Sequence, residues 1–236
     1  MTDPLPMNEP GRGRISEGPT DALIERTLEF VRTELAGWRD DPDRKPEEAE
    51  ERLNAQLCKY LNVAASRCFP MVHFSHEEKQ TGIRRVDMAA NPNPSGFIGK
   101  TYHTIYDPFL VFEGKRLPAP SVPREREYVT GGAEKSGGIQ RFKLALHGAR
   151  QTTAAMIAYI QKGDADSWRS VINRWIREVA SDASALDEQW SVDEQLSELT
   201  TNNAPRIASA SSSHKRNKGA ASPEIRIQHL WVVMQN

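Results

Sequence analysis

Four consecutive apolar residues, Phe109, Leu110, Val111 and Phe112, run directly into Glu113, Gly114 and Lys115. A strand with one solvated face alternates apolar and polar side chains. A strand apolar at both parities is covered on both faces. The segment 106–117, YDPFLVFEGKRL, is therefore expected to lie in the middle of a sheet with a layer on each side. The rest of the chain supplies those layers, and the expected class is α/β (α+β), a mixed central sheet flanked by helices.

A helix is predicted from Thr20 or Asp21 to about Trp38, its stripe formed by Leu23, Thr27, Phe30, Val31 and Leu35. After the breaker DDPDRKP, a second helix is predicted from near Pro46, with Leu53, Leu57, Tyr60 and Leu61 on its apolar side. Residues 71–78 and 83–90 read as a hairpin turning near Gly82, followed by the loop NPNPSG. A polar, proline-rich loop spans about 118–136. A long helix is expected from Gly137 and Gly138 to about Gln161, another over 165–180 with Trp168 and Trp175 in its core stripe, and a weaker one over 185–199. Residues 201–222 read as a mobile loop and the last ten or so as a terminal strand. Residues 1–19 hold four prolines and three glycines and read as a disordered tail, leaving 20–236 as a single domain.

No apolar run reaches the length of a bilayer span, and the N-terminus lacks the basic-then-apolar order of a secretory signal. Cys58 and Cys68 have no second pair to complete a metal site and read as thiols in a reducing, cytoplasmic setting. Net charge is −1, which argues mildly against a polyanionic partner. The layout is uneven, however. Residues 138–162 carry Arg141, Lys143, Arg150 and Lys162 with no acid, whereas 43–51 are mostly acidic.

Residues two apart on a strand share a face, so Glu113 and Lys115 point together at the end of the central strand. Asp87 comes from the strand before it. A desolvated set of two carboxylates and an ammonium is costly without a purpose. Phosphodiester hydrolysis needs such a set: carboxylates for Mg²⁺, a hard cation preferring oxygen, and a lysine beside the attacking water. Glu50 lies three residues before Leu53, over the same helix face, and is placed to add a ligand or position water. The plainer reading of Asp87 is an ion pair with Arg84 or Arg85. That of Glu50 is the favourable end of a helix dipole, where Glu47 and Glu51 compete with it. His73, His76 and His147 lack paired ligand spacing and read as core or surface residues, and His214 and His229 receive no role.

The helix after Gly138 adds a second signal. Paired glycines allow close backbone approach, and a helix start suits a phosphate. Lys143, His147 and Arg150 would form one basic stripe, with Gln140 and Arg141 in the first turn to contact a nucleic-acid backbone or hold the active-site water.

Asp87 followed by Glu113-Gly114-Lys115 resembles the PD-(D/E)XK nuclease superfamily, whose restriction-endonuclease-like fold places an acid on one strand and E-x-K on the next. The similarity covers roughly 45–162 and extends to the terminal strand. Val86 stands where the name motif has proline, a position the family leaves variable. The resemblance implies a Mg²⁺-dependent endonuclease, Mn²⁺ substituting, with Asp87, Glu113 and Gly114 at the metal, Lys115 catalytic and Glu50 added from the helix. Gln140, Arg141, Lys143 and Arg150 are then expected to bind nucleic acid, DNA ahead of RNA. The flavour is that of uncharacterised bacterial members accompanying phage-defence systems. Near-neutral charge further implies a homo-oligomer or a partner protein that delivers substrate. The competing expectation is a nuclease-like module that binds nucleic acid or a partner without catalysis.

Overall fold

The computed structural model describes residues 20–80, 84–182, 189–201, 206–216 and 220–235. The expected N-terminal tail and the hairpin turn at Gly82 lie outside them, as do residues 185–188 of the expected 185–199 helix. In chain order the elements are α1 (Thr20–Asp40), α2 (Glu50–Cys68), β1 (Val72–Lys79), β2 (Arg85–Pro92), β3 (Gly96–Ile98) and β4 (Thr101–His103). Then follow β5 (Leu110–Leu117), α3 (Gly138–Lys143), β6 (Thr153–Ile160), α4 (Ala165–Ser181), β7 (Thr200–Thr201), β8 (Ile207–Lys215) and β9 (Glu224–Val233).

Seven strands form one mixed sheet in the order β1-β2-β5-β6-β9-β8-β7, and β3 and β4 form a separate hairpin. β5, β6 and β9 are parallel in the centre, and the flanking pairs are antiparallel. As a doubly apolar strand demands, β5 divides its side chains between two cores. Leu110 and Phe112 join α1 and α2 on one face, while Val111 and Leu117 join α3 and α4 on the other. The class is thus mixed α and β, with helices on both faces of a central sheet. No helix of the described residues is long and apolar enough to cross a membrane.

Three expectations fail. The long helix over 137–161 is a six-residue helix, a turn and a strand. α3 stops because Ala145 adopts a left-handed conformation (φ 56°) and the Leu146 N–H reaches back to the Arg141 carbonyl at 2.9 Å. All eight residues of β6 are buried between parallel neighbours. Such a run carries no period of its own, so Met156, Ile157 and Ile160 mimic a helical stripe. The expected mobile loop at 201–222 contains β8, which pairs with β9 along its whole length. Its serines and alanines are small residues packed against a sheet. Between 189 and 199 the described chain holds one 3₁₀ turn, Val192–Glu194, in place of the weak helix.

Candidate active site

The ladder between β2 and β5 runs through Ala90↔Leu110, Ala89↔Val111 and Met88↔Phe112 and goes no further. The next residues along are Asp87 and Glu113. On the other side of β2, Glu77 of β1 is in a left-handed conformation (φ 54°) opposite Asp87. Where the β2–β5 ladder would continue, the Gly114 N–H donates to Asp87 Oδ2 at 2.7 Å. The side chain accepts the bond that the strand gives up, so no buried donor is stranded. The sheet thereby opens a gap beside Glu113, and Arg85 pairs with Glu77 at 2.6 Å instead of with Asp87.

Glu113 is 1% exposed and fully engaged. Its Oε1 accepts from Arg141 Nη1 at 2.6 Å and lies 3.1 Å from Lys115 Nζ. Its Oε2 meets His147 Nδ1 at 3.0 Å, and because an ionised carboxylate only accepts, that nitrogen carries a proton. Lys115 Nζ also donates to Glu50 Oε1 at 3.0 Å, and Glu50 Oε2 accepts the Arg116 N–H at 3.0 Å. Glu50 is the first residue of α2, and it alone of the competing acids is placed here. Glu47 turns to Arg52.

Electrostatics separate the two strand carboxylates. Burial pushes Asp87 up to about 7, and the charge on nearby Glu113 adds to it, with Lys115 opposing. Glu113 is as deeply desolvated, but Lys115, the His147 hydrogen bond and Arg141 outweigh burial and hold its carboxyl well below the usual range. Burial likewise works against the Lys115 ammonium, yet Glu113, Glu50 and Asp87 raise its pKa and keep it charged. With Asp87 protonated, Glu113 and Glu50 balance Lys115 and Arg141. With Asp87 ionised, the set carries one net negative charge. Ionising Asp87 therefore favours added positive charge beside it.

Gly114 sets the approach of α2. A Cβ at this position would lie 2.0 Å from Asn54 Oδ1, which in turn accepts from Tyr159 Oη at 2.7 Å. Gly114→Ala is expected to displace Asn54 and α2, with Glu50 at its start, and to cost about 1–3 kcal/mol. Thermal melting would show the loss, and an unchanged melting temperature would mean that α2 gives way freely.

The expected nucleic-acid residues do not form one stripe, because α3 ends before His147 and Arg150. Gln140 is buried, its amide fixed by the Gly131 N–H at 2.9 Å and the Gly132 carbonyl at 3.0 Å. Lys143 is buried against Glu194 at 2.5 and 2.7 Å. Neither reaches a ligand. Arg141 is turned inward onto Glu113, with its side chain 25% exposed and its Nε buried without an acceptor. Arg150 alone is exposed.

Two contributors escape a reading by spacing. His147 acts from the turn after α3. Arg216, expected in a mobile loop, donates from Nε to the Phe142 carbonyl, from Nη1 to Gln151 and from Nη2 to Gly148, at 2.8–3.1 Å. It clamps the turn that presents His147, and its burial lowers its pKa to about 10. Among the described residues no three His, Cys, Asp or Glu side chains form a ready-made metal cluster. Asp87 and Glu113 are a pair of hard oxygen donors, and Gly114 has only main-chain atoms to offer.

A second polar cluster lies on the same face, under α4. The Trp231 indole donates to Tyr128 Oη at 2.9 Å, Tyr128 meets His229 Nδ1 at 2.7 Å, and Ser212 Oγ bridges His229 Nε2 at 2.8 Å and His214 Nε2 at 2.7 Å. His214 Nδ1 lies 3.5 Å from Glu194, the partner of Lys143. An indole only donates, so one assignment gives each donor from Trp231 to Ser212 an acceptor, while His214 Nδ1 faces Glu194 without a hydrogen bond. Protons point from Trp231 through Tyr128, His229, Ser212 and His214 toward Glu194, with both imidazoles neutral. Glu194, His214 and Ser212 occur in the order of a Ser–His–acid hydrolase. Ser212 Oγ is engaged by both imidazoles at once, which commits its hydroxyl to the cluster. The cluster holds β8, β9 and the 192–194 turn together.

No family model matches the chain, and no curated protein or solved structure gives a significant match to it.

Proposed function

We propose that the chain is a divalent-metal-dependent nuclease, DNA being its expected substrate, with Asp87, Glu113, Lys115 and Glu50 at the active site. The observation that carries this reading is the convergence of Glu50 and Glu113 on one buried lysine, with Asp87 bonded to the adjacent Gly114, at a break in the central sheet. Lys115 lies 3.0 Å from Glu50 and 3.1 Å from Glu113. Asp87 and Glu113-Gly114-Lys115 stand on the paired strands β2 and β5, the order that the PD-(D/E)XK resemblance implies.

The donors suit Mg²⁺ or Mn²⁺, since Asp87 and Glu113 offer only hard oxygen. A bound dication would polarise the scissile phosphate and lower the pKa of a coordinated water. Asp87 has one oxygen outside its bond to Gly114, and Glu113 Oε2 accepts a single hydrogen bond, so each carboxylate keeps a lone pair. Lys115 holds a fixed charge beside the attacking oxygen. Arg141 Nε lacks an acceptor, and a phosphate oxygen would complete its fork. Free thiols at Cys58 and Cys68 suit a reducing, cytoplasmic compartment. With a net charge of −1, free DNA should bind weakly, so a second copy or a partner protein would deliver substrate, as in a phage-defence effector.

One observation favours a second reading. Glu113 already meets Arg141, Lys115 and His147, an arrangement suited to a nuclease-like module that binds without cutting. The discriminating experiment incubates plasmid, linear and single-stranded DNA, and RNA, with Mg²⁺ or Mn²⁺, wild type beside Asp87→Asn. Cleavage by wild type alone is the expected result. Asp87→Asn is also expected to melt at a higher temperature, because it keeps the bond to Gly114 and removes a desolvated carboxyl from beside Glu113. Folded wild type that cuts none of these with either metal would favour the binding module. Equal cleavage by Asp87→Asn would place the site elsewhere.

A further inference from the structure

All three exposed aromatic side chains among the described residues, Phe97, Tyr102 and Tyr106, fall within ten residues of one another on the β3–β4 hairpin and the turn after it. Phe97 and Tyr102 lean on each other edge to face, with ring centroids 5.2 Å apart. Tyr106 is 81% exposed. It is not on a loose loop. Thr104 N–H and Oγ1–H both donate to Asp107 Oδ2 at 3.1 and 2.6 Å, the Asp107 N–H returns to the Thr104 carbonyl at 3.0 Å, and Ser95 Oγ accepts the Ile105 N–H at 2.9 Å. A preorganised turn holding an aromatic ring in water is a binding device, since the ordering cost is met before any ligand arrives.

The turn lines a cleft of about 790 Å³, whose lining includes Tyr102, Tyr106 and His103 together with the exposed Lys79 and Arg150. Its acids, Glu78 and Asp107, already accept hydrogen bonds from Ser75 and Thr104. The cleft adjoins the candidate active site through the chain. Its lining begins at Ala149, two residues past His147, and Gln80 Oε1 accepts the Gly148 N–H at 3.0 Å across the junction. Flat rings beside exposed cations match a strand whose bases are free to stack and whose phosphates lie alongside. A duplex keeps its base faces covered and offers these rings nothing to stack on.

We infer that this cleft binds a stretch of unpaired nucleotides leading to the active site, with bases stacked on Tyr106 and Tyr102 and phosphates against Lys79 and Arg150. The inference rests on the nuclease reading and narrows its substrate to strands that are single, or locally opened, beside the cut.

The test measures anisotropy of fluorescein-labelled oligothymidylate, oligouridylate and a mixed-sequence duplex with the full chain in EDTA, where no cleavage occurs. Wild type is expected to hold both single strands more tightly than the duplex, and the two oligomers separate a DNA from an RNA preference. Tyr106→Ala should weaken single-strand binding roughly five- to a hundredfold, and Tyr106→Phe should restore it. Lys79→Ala with Arg150→Ala should flatten the salt dependence by about 0.7 in log–log slope per lost phosphate contact. Mg²⁺-dependent cleavage, compared in parallel between wild type and Glu113→Gln, tests the nuclease reading separately, so a failed nuclease reading and a failed cleft are told apart. No binding by wild type, duplex preferred over single strand, or Tyr106→Ala binding unchanged would each overturn the inference.

Discussion

Glu113→Gln is expected to lower metal-dependent cleavage by at least about a hundredfold, the scale on which metal affinity and activity fall when a metal site is disturbed. The glutamine amide keeps the shape of the carboxylate, so the fold should survive for the comparison. What changes is charge. Lys115, Arg141 and His147 all direct donors at this side chain, and an amide presents one acceptor and one further donor where the carboxylate presents two acceptors. Glu113→Ala is harsher: it leaves the Lys115 ammonium buried with Glu50 as its only close anion and should cost about 3–5 kcal/mol of stability. Cleavage and denaturant unfolding on both variants separate chemistry from folding. A glutamine variant that folds and still cuts would remove Glu113 from the reaction.

The second large effect belongs to the buried cluster under α4. Glu194→Gln leaves Lys143 without its counter-charge in the core and is expected to cost about 3–5 kcal/mol, roughly 6–20 °C in melting temperature for a chain of this size. Lys143→Met combined with Glu194→Leu should recover most of the loss, because a buried pair replaced by apolar groups gives up attraction and desolvation together. Acid should act through the same cluster. Burial lowers the pKa of His214, against the opposing pull of Glu194, and lowers that of His229 further. An unfolded chain takes up protons on these imidazoles near pH 6.5, whereas the folded core takes them up only at lower pH. Their contribution to stability is thus complete above about 6.5 and declines as the pH falls below it. Melting temperatures at pH 7.5 and 5 should differ in that direction, and His229→Gln should narrow the difference. No change between the two pH values would mean that the folded core takes up protons on these imidazoles as readily as the unfolded chain does.

The central strand was legible because four apolar residues in succession leave few alternatives, and its acid and lysine follow from strand parity. Glu50 was legible as a face of α2. What stayed hidden has physical causes. β6 is buried on both sides, and the stop of α3 is made by an alanine in a conformation that a sequence reading reserves for glycine. Once that helix is drawn too long, Lys143, His147 and Arg150 fall on one imagined face. In the folded chain they go to a buried ion pair, to Glu113 and to an open cleft. β8 reads as a loop because serine and alanine are poor strand formers in the absence of a partner. Its inward side chains, Ser212 and His214, acquire meaning only against β9.

β9 is the last of these strands along the chain, yet it stands between β6 and β8. A nascent chain that has emerged only as far as residue 223 has β1, β2, β5 and β6 on one side and the β7–β8 hairpin on the other, with an open slot between them. Both lips of that slot are unpaired backbone, and six of the ten side chains that fill it are buried. The sheet therefore closes in a single late step across its middle, and the residues around Glu113 stay unsupported on that flank until synthesis has passed Val233. The candidate site is thus completed only after β9 has been made, a built-in delay for a chain proposed to cut nucleic acid.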